Sequence, residues 1–228
     1  MAIKLYDLAM ADPDVRISPF CWIAKLALKH RGVDFETVPL RFAEKENYPG
    51  AENKTVPIIV DGDKVVCGSG EIIAYLEANY DGPAFYASEG ERAAQAFYSA
   101  WVGSSVFGAL APALMVKVWG IAHEDDRDYF RSVREKRFGV TLEEFARTPG
   151  LKEKTDAALA TLTPPLTRMP FLGGQSANVC DYTVFAPFLW RRIVTGDTGF
   201  DGPGPVTAWY ERMLDLYGGY TRNAKTAA

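Results

Sequence analysis

Three places in this 228-residue chain combine residue type and spacing in a way that offers chemistry: Ser18-Pro19, Thr55-Val56-Pro57 and Cys67-Gly68-Ser69. Ser18 and Pro19 stand at a loop-to-helix junction ahead of Phe20-Cys21-Trp22, where Ser is a favoured N-cap and Pro a favoured first helical residue. That alone describes a well-made helix start. A helix N-terminus also presents unpaired N–H groups and partial positive charge, which suit an anion such as a thiolate, and a serine hydroxyl there can donate to it. Pro57 cannot donate to a β ladder, so it belongs at a strand head or edge. A cis Val56-Pro57 bond would turn the Val56 backbone outward to pair with an extended peptide, whereas a trans bond leaves an ordinary edge. Ser69 lies where a strand turns into a helix, and it either caps that helix or offers neighbouring N–H groups to a carboxylate.

The elements that must position these residues are legible from periodicity. Ile3 to Asp7 is a short apolar run, and Ser18 to His30 carries Trp22, Ile23, Leu26 and Ala27 at helical spacing. Phe35 to Leu40, Val56 to Asp61 and Lys64 to Cys67 read as strands, the last two joined by a hairpin at Asp61-Gly62-Asp63. Ser69 to Tyr80 is helical again and is closed by Asp81-Gly82-Pro83. The order βαβ(α)ββα predicts a mixed sheet whose first two strands are joined by a crossover helix. Beyond Pro83 the strand signals stop. Helical stretches cover Glu89 to Ile121, Asp125 to Phe145, Lys152 to Leu162, Val179 to Val194 and Val206 to Tyr217, with breaks at Thr148-Pro149-Gly150, Thr163-Pro164-Pro165 and Gly196 to Pro205. The expected organisation is therefore an α/β domain over 1–80, a linker over 81–88 and an all-helical domain over 89–228.

A net charge of -4 with 24% charged residues gives no polyanion-binding surface, so nucleic acid is not an expected partner. Cys21, Cys67 and Cys180 are an odd, widely spaced set with neither a disulfide framework nor a metal spacing, and the N-terminus lacks the features of a secretory signal, so a cytoplasmic location is expected. Ala93 to Val116 carries no charge and is long enough to span a bilayer, but Gln95, Ser99, Ser104, Ser105 and Pro112 read better as a buried bundle helix, and no membrane association is expected. His30 and His123 have no partners that suggest a metal or a triad, and no metal is expected. The cluster Arg127, Arg131, Arg134, Lys136 and Arg137 is interleaved with acids and reads as a solvated helix face.

The order and spacing of the Ser-Pro helix start, the Thr-Val-Pro strand start and the Ser ahead of the Ile72-to-Leu76 helix strongly resemble the glutathione transferase superfamily. Asn178-Val179-Cys180-Asp181, preceded by Phe171-Leu172-Gly173-Gly174, looks like that family's buried folding motif, a reciprocal cap of structural role. Ile17 to Glu36 and the late Trp209-Tyr210 and Gly218-Gly219-Tyr220 most resemble the bacterial β-etherase and fungal etherase-related classes. The resemblance implies a thioredoxin-like domain followed by a helical bundle, glutathione as cosubstrate and a homodimer. It implies that Ser18 stabilises the glutathione thiolate, the Val56 backbone beside Pro57 pairs with the cysteinyl unit, and Ser69 binds the γ-glutamyl carboxylate. Gly68 stands where the family usually has an acid, with Glu71 nearby, and Lys54 or Arg41 is the candidate cation for the glycyl carboxylate. Phe20, Trp22, Tyr98, Trp101 and Phe107 would line the site of a bulky aromatic substrate, a β-aryl ether in the specific case. The alternative is a glutathione-transferase-like binding or structural module with little turnover.

Overall fold

The computed structural model describes residues 2–50, 52, 55–200 and 202–228. Strand β1 (Ile3–Leu8) continues through helix α1 (Pro19–His30) into the parallel strand β2 (Phe35–Leu40), with Ile3 opposite Phe35 and Leu8 opposite Leu40. A crossover helix is what lets two parallel strands be neighbours, because no tight turn spans that return. Strand β3 (Ile58–Asp61) pairs antiparallel with β1, and β4 (Lys64–Cys67) antiparallel with β3, giving the order β2-β1-β3-β4. Gly62, at φ +58°, supplies the left-handed backbone that the tight β3–β4 turn requires. Helix α2 (Ser69–Asn79) buries Ile72, Ile73 and Leu76. The helix allowed for between β2 and β3 is a single 3₁₀ turn at Lys45–Asn47.

The helical half begins at α3 (Glu89–Trp101) and continues as α4 (Phe107–Ile121). An unbroken helix was the expectation, but a π turn at Val102–Val106 lies between them, with the Phe107 N–H donating to the Val102 carbonyl five residues back. Residues 125–145, expected as one helix, form α5 (Glu124–Phe138) and α6 (Leu142–Ala146). Gly139 ends α5 at φ +74°, and Thr141 with Glu144 opens α6 as a capping box. Helix α7 (Leu151–Arg168) departs in the opposite sense and runs through Pro164 and Pro165, where a break is expected. The carbonyls that those prolines leave without an amide belong to Ala160 and Thr161, both exposed and so open to solvent.

Helix α8 (Val179–Thr195) is the axis of the molecule, buried along almost its whole length and packed on α1, α3 and α4, and α9 (Pro205–Gly219) completes the bundle. Helix α3–α4, uncharged over residues 93–116 and long and apolar enough by composition to cross a membrane, packs in this bundle against α7 and α8. Asn178 caps α8, and the buried Asp181 carboxylate accepts from the backbone N–H groups of Leu172, Gly173 and Asn178 and from Trp209 Nε1 at 2.8 to 3.1 Å. One continuous apolar core joins β1, α1 and α2 to the bundle helices, so the two halves meet without a solvent layer.

Candidate active site

Between the two halves lies a cleft of about 610 Å³. The N-terminal ends of α1 and α2 contribute Ser18, Phe20, Ile23, Ser69, Gly70 and Ile73, and α3–α4 contributes Gln95, Ser99, Phe107 and Met115. Helix α5 adds Phe130, Arg134, Arg137 and Phe138, and α8 adds Thr183, Pro187 and Trp190. Most of this surface is apolar. Phe20 stacks on Phe107 with ring centroids 5.9 Å apart, and Phe107 leans on Trp190 at 6.0 Å, so three aromatic rings form a continuous wall.

Ser18 caps α1, its Oγ accepting the Cys21 N–H at 3.3 Å, and it is 7% exposed. A hydroxyl that accepts this bond keeps its own hydrogen free to donate into the cleft. No acid occupies the first turn of α1, so the partial positive charge of the helix end is not cancelled locally. Cys21 itself is fully buried, and burial first, then the nearby Asp7 carboxylate, hold its thiol well above the usual cysteine range. At α2 the N-cap is Gly68 rather than Ser69: Gly68 sits at φ +99° and its N–H donates to the Pro57 carbonyl at 2.8 Å. Ser69 is the first helical residue and makes no capping bond, which leaves its hydroxyl and the N–H groups of Ser69 and Gly70 available to an anion. Both helix starts thus present donors, α1 with no acid in its first turn and α2 with Glu71 in its own.

Two family models match the chain: the glutathione S-transferase N-terminal domain over residues 13–84 and the glutathione S-transferase C-terminal domain over residues 93–201. The chain belongs to the glutathione transferase family. Among solved structures it is similar to glutathione transferase GSTFuA3 from Phanerochaete chrysosporium, with 23% identity, a TM-score of 0.75 and coverage of 96% of this chain and 92% of that one. Glutathione S-transferase CsGST63524 of Ceriporiopsis subvermispora, solved in complex with glutathione, matches at 21% identity and a TM-score of 0.74, covering 98% of this chain and 95% of that one. A glutathione S-transferase domain-containing protein of Marinobacter aquaeolei VT8 matches at 22% identity and a TM-score of 0.65, covering 94% and 98% respectively.

Of the residues that the resemblance assigns to glutathione, Ser18 and Ser69 share the cleft, while Val56, Pro57 and Arg41 do not line it. The Val56-Pro57 bond is cis, and neither the N–H nor the carbonyl of Val56 has a backbone partner among the described residues. Arg41 is committed to Glu44 at 3.0 Å and to Asp125 at 3.5 Å, so its guanidinium is not a free anion receptor. Lys54 lies outside the described residues. Gly68, where the family usually has an acid, sits at φ +99°, a conformation strained for a residue with a Cβ, and Glu71 is exposed on α2.

Of the five aromatic residues expected to hold a second substrate, Phe20 and Phe107 face the cleft and three do not. Trp22 is turned into the first half, where its Nε1 donates to the Arg16 carbonyl at 2.7 Å and its ring lies 3.9 Å from the buried Lys25 ammonium, itself ion-paired with Asp7. Trp101 faces a separate hollow with Ser104, Ser105 and Lys154, and Tyr98 packs half-buried toward the start of α8. The reason is helical geometry: Gln95, Ser99 and Val102 share one face of α3, and Tyr98 and Trp101 point elsewhere. Trp190, Phe130, Phe138 and Arg134 take their place. The last three were readable as a stripe on α5 at four-residue spacing, whereas Trp190 sits in a helix buried on nearly every face and carries no such signal. Among the described residues no group of His, Cys, Asp and Glu side chains could hold a metal ion.

Proposed function

We propose that this chain is a cytoplasmic transferase that binds glutathione, stabilises its thiolate with Ser18 and the N-terminus of α1, and directs it at an aromatic electrophile in the adjoining cleft. The observation that carries this reading is the Ser18 hydroxyl, held as an acceptor by the Cys21 N–H and free to donate, on the wall of a cleft lined by Phe20, Phe107 and Trp190. A thiol with an ordinary pKa of about 8.5 is mostly protonated at neutral pH, and a donor plus a helix N-terminus shifts it toward the working range. Glutathione would run from the Val56 backbone, paired with its cysteinyl unit, to Ser69 and the N–H of Gly70 at its γ-glutamyl carboxylate. Lys54 would meet its glycyl carboxylate, since Arg41 is held by Glu44 and Asp125.

The resemblance of the Ile17-to-Glu36 stretch to etherase classes makes a β-aryl ether the specific substrate. In that reaction a C–S bond forms at the ether carbon as the C–O bond breaks. The aryloxide leaves with the bonding pair and takes up the proton equivalent that the thiol released, and the balance needs no metal or oxidant. The test is a panel of a lignin-type β-aryl ether, a chlorodinitrobenzene and a mixed disulfide, each with glutathione. Release of the phenol from the ether supports the proposal. Turnover of the disulfide alone would move the chain to thiol transfer, and no turnover with retention on immobilised glutathione would make it a binding module.

A further inference from the structure

Helix α5 turns Asp126, Phe130, Arg134 and Phe138 to one side, every fourth residue, and the last three line the cleft together with Arg137. The helix is fixed there by contacts with the first half. Asp126 accepts the Ala43 N–H at 3.0 Å, and Phe130 packs on Phe42 with centroids 4.9 Å apart. The arginines of α5 are not equivalent. Arg131 is bidentate to Glu143 at 2.8 and 2.9 Å and also bonds Glu135 at 2.8 Å. Arg134 and Arg137 have no carboxylate within ion-pair reach among the described residues, since Glu135 is taken by Arg131 and Asp125 by Arg41 and His123. Arg134 is half-buried and lies over the Phe130 ring, 5.3 Å from its centroid. Burial, then the neighbouring Arg137 charge, hold its guanidinium below its ordinary value. The two like charges at the edge of an apolar cleft repel each other and the half-buried Arg134 also loses hydration, and an anion bound beside them offsets both costs.

Building on the reading that this cleft takes the second substrate, we infer that the substrate is an aromatic acid whose carboxylate or comparable oxyanion is bound by Arg134 and Arg137 while its ring lies on the aromatic wall. Arginine suits the task because its planar fork matches a carboxylate and its charge persists at every working pH. Discrimination then rests on the difference between an anion that satisfies the pair and a neutral analogue that leaves it unpaired.

The test compares a chlorodinitrobenzoate with its methyl ester, from both of which the glutathione thiolate displaces chloride. In Arg134→Gln with Arg137→Gln, the ratio of kcat/KM for the benzoate to that for the ester should fall about tenfold, carried by KM for the benzoate, as expected for loss of a charge-assisted contact. Arg134→Lys with Arg137→Lys should recover part of the ratio and lose more of it at high salt. Thermal unfolding of each variant controls for folding. An unchanged ratio overturns the inference, and so does a KM rise confined to glutathione, which would assign the pair to the tripeptide. If wild type turns over neither compound, the transferase reading fails, and calorimetric binding of the benzoate against the ester still decides the anion site.

Discussion

Ser18 and Cys21 stand one helical turn apart, and their environments assign them opposite parts. The serine oxygen is at the helix mouth with a hydrogen to give, whereas the cysteine sulfur is sealed inside with its thiol pKa raised by burial and by Asp7. A charge-assisted hydrogen bond contributes about 1.5–3 kcal/mol, so Ser18→Ala should lower kcat/KM by roughly ten- to a hundredfold and raise the apparent pKa of bound glutathione. Cys21→Ala should leave both close to wild type. The thiolate's ultraviolet absorbance, titrated with glutathione bound, reads the pKa directly, and a larger loss in the cysteine variant would reverse the assignment.

At the scale of elements, α1, α8 and α9 are tied by one chain of hydrogen bonds whose direction is set by its end. The Ala84 carbonyl, 3.0 Å from His30 Nε2, can only accept, so Nε2 carries the proton and Nδ1 accepts from the Tyr182 hydroxyl at 2.7 Å. Tyr182 in turn accepts from the Tyr217 hydroxyl at 2.6 Å, which the left-handed backbone of Tyr217, φ +54°, delivers to that place. Burial lowers the His30 pKa from its ordinary 6.5, with Arg31 adding to the effect against the Ala84 carbonyl. The unfolded chain therefore binds the proton more readily, so this contribution is complete above pH 6.5 and is lost as pH falls toward the lower folded value. Melting temperatures measured from about pH 8 to about pH 5 should fall more steeply in wild type than in His30→Gln. Parallel slopes would show that the chain is not a pH-dependent tie.

For the whole molecule, the exposed apolar residues point to association. Phe97 is 67% exposed on α3, one of the long helices after residue 89 that are expected to pack with the first half's last helix, α2, in a homodimer. Sedimentation at micromolar concentration should give about twice the 25.2 kDa chain mass, and Phe97→Asp should shift the distribution toward the single chain. A wild-type monomer across the concentration range would refute the dimer. Inside each chain the continuous core from β1 to α9 leaves no separable half, which is why the cleft can sit at the junction without falling open.

Local chemistry determined what was legible in advance. Ser18-Pro19 as a helix start, the Asp61-Gly62-Asp63 turn and the Asn178/Asp181 capping box depend on neighbours within four residues, and periodicity alone located β2 and β4 as Phe35–Leu40 and Lys64–Cys67. The folded chain decided what those rules leave open. Whether α7 stops at Pro164 depends on water reaching Ala160 and Thr161, and whether Gly68 or Ser69 caps α2 depends on a backbone angle set by the bond to Pro57. Which aromatic residues meet the cleft depends on how α3 and α1 are rotated against α8, so Trp22, Tyr98 and Trp101 went elsewhere and Trp190 came in. Charge was the least local property of all: Arg131 and Arg134 look alike in sequence, and only the positions of Glu143 and the cleft make one a paired strut and the other a cation on the cleft wall with no ion-pair partner among the described residues.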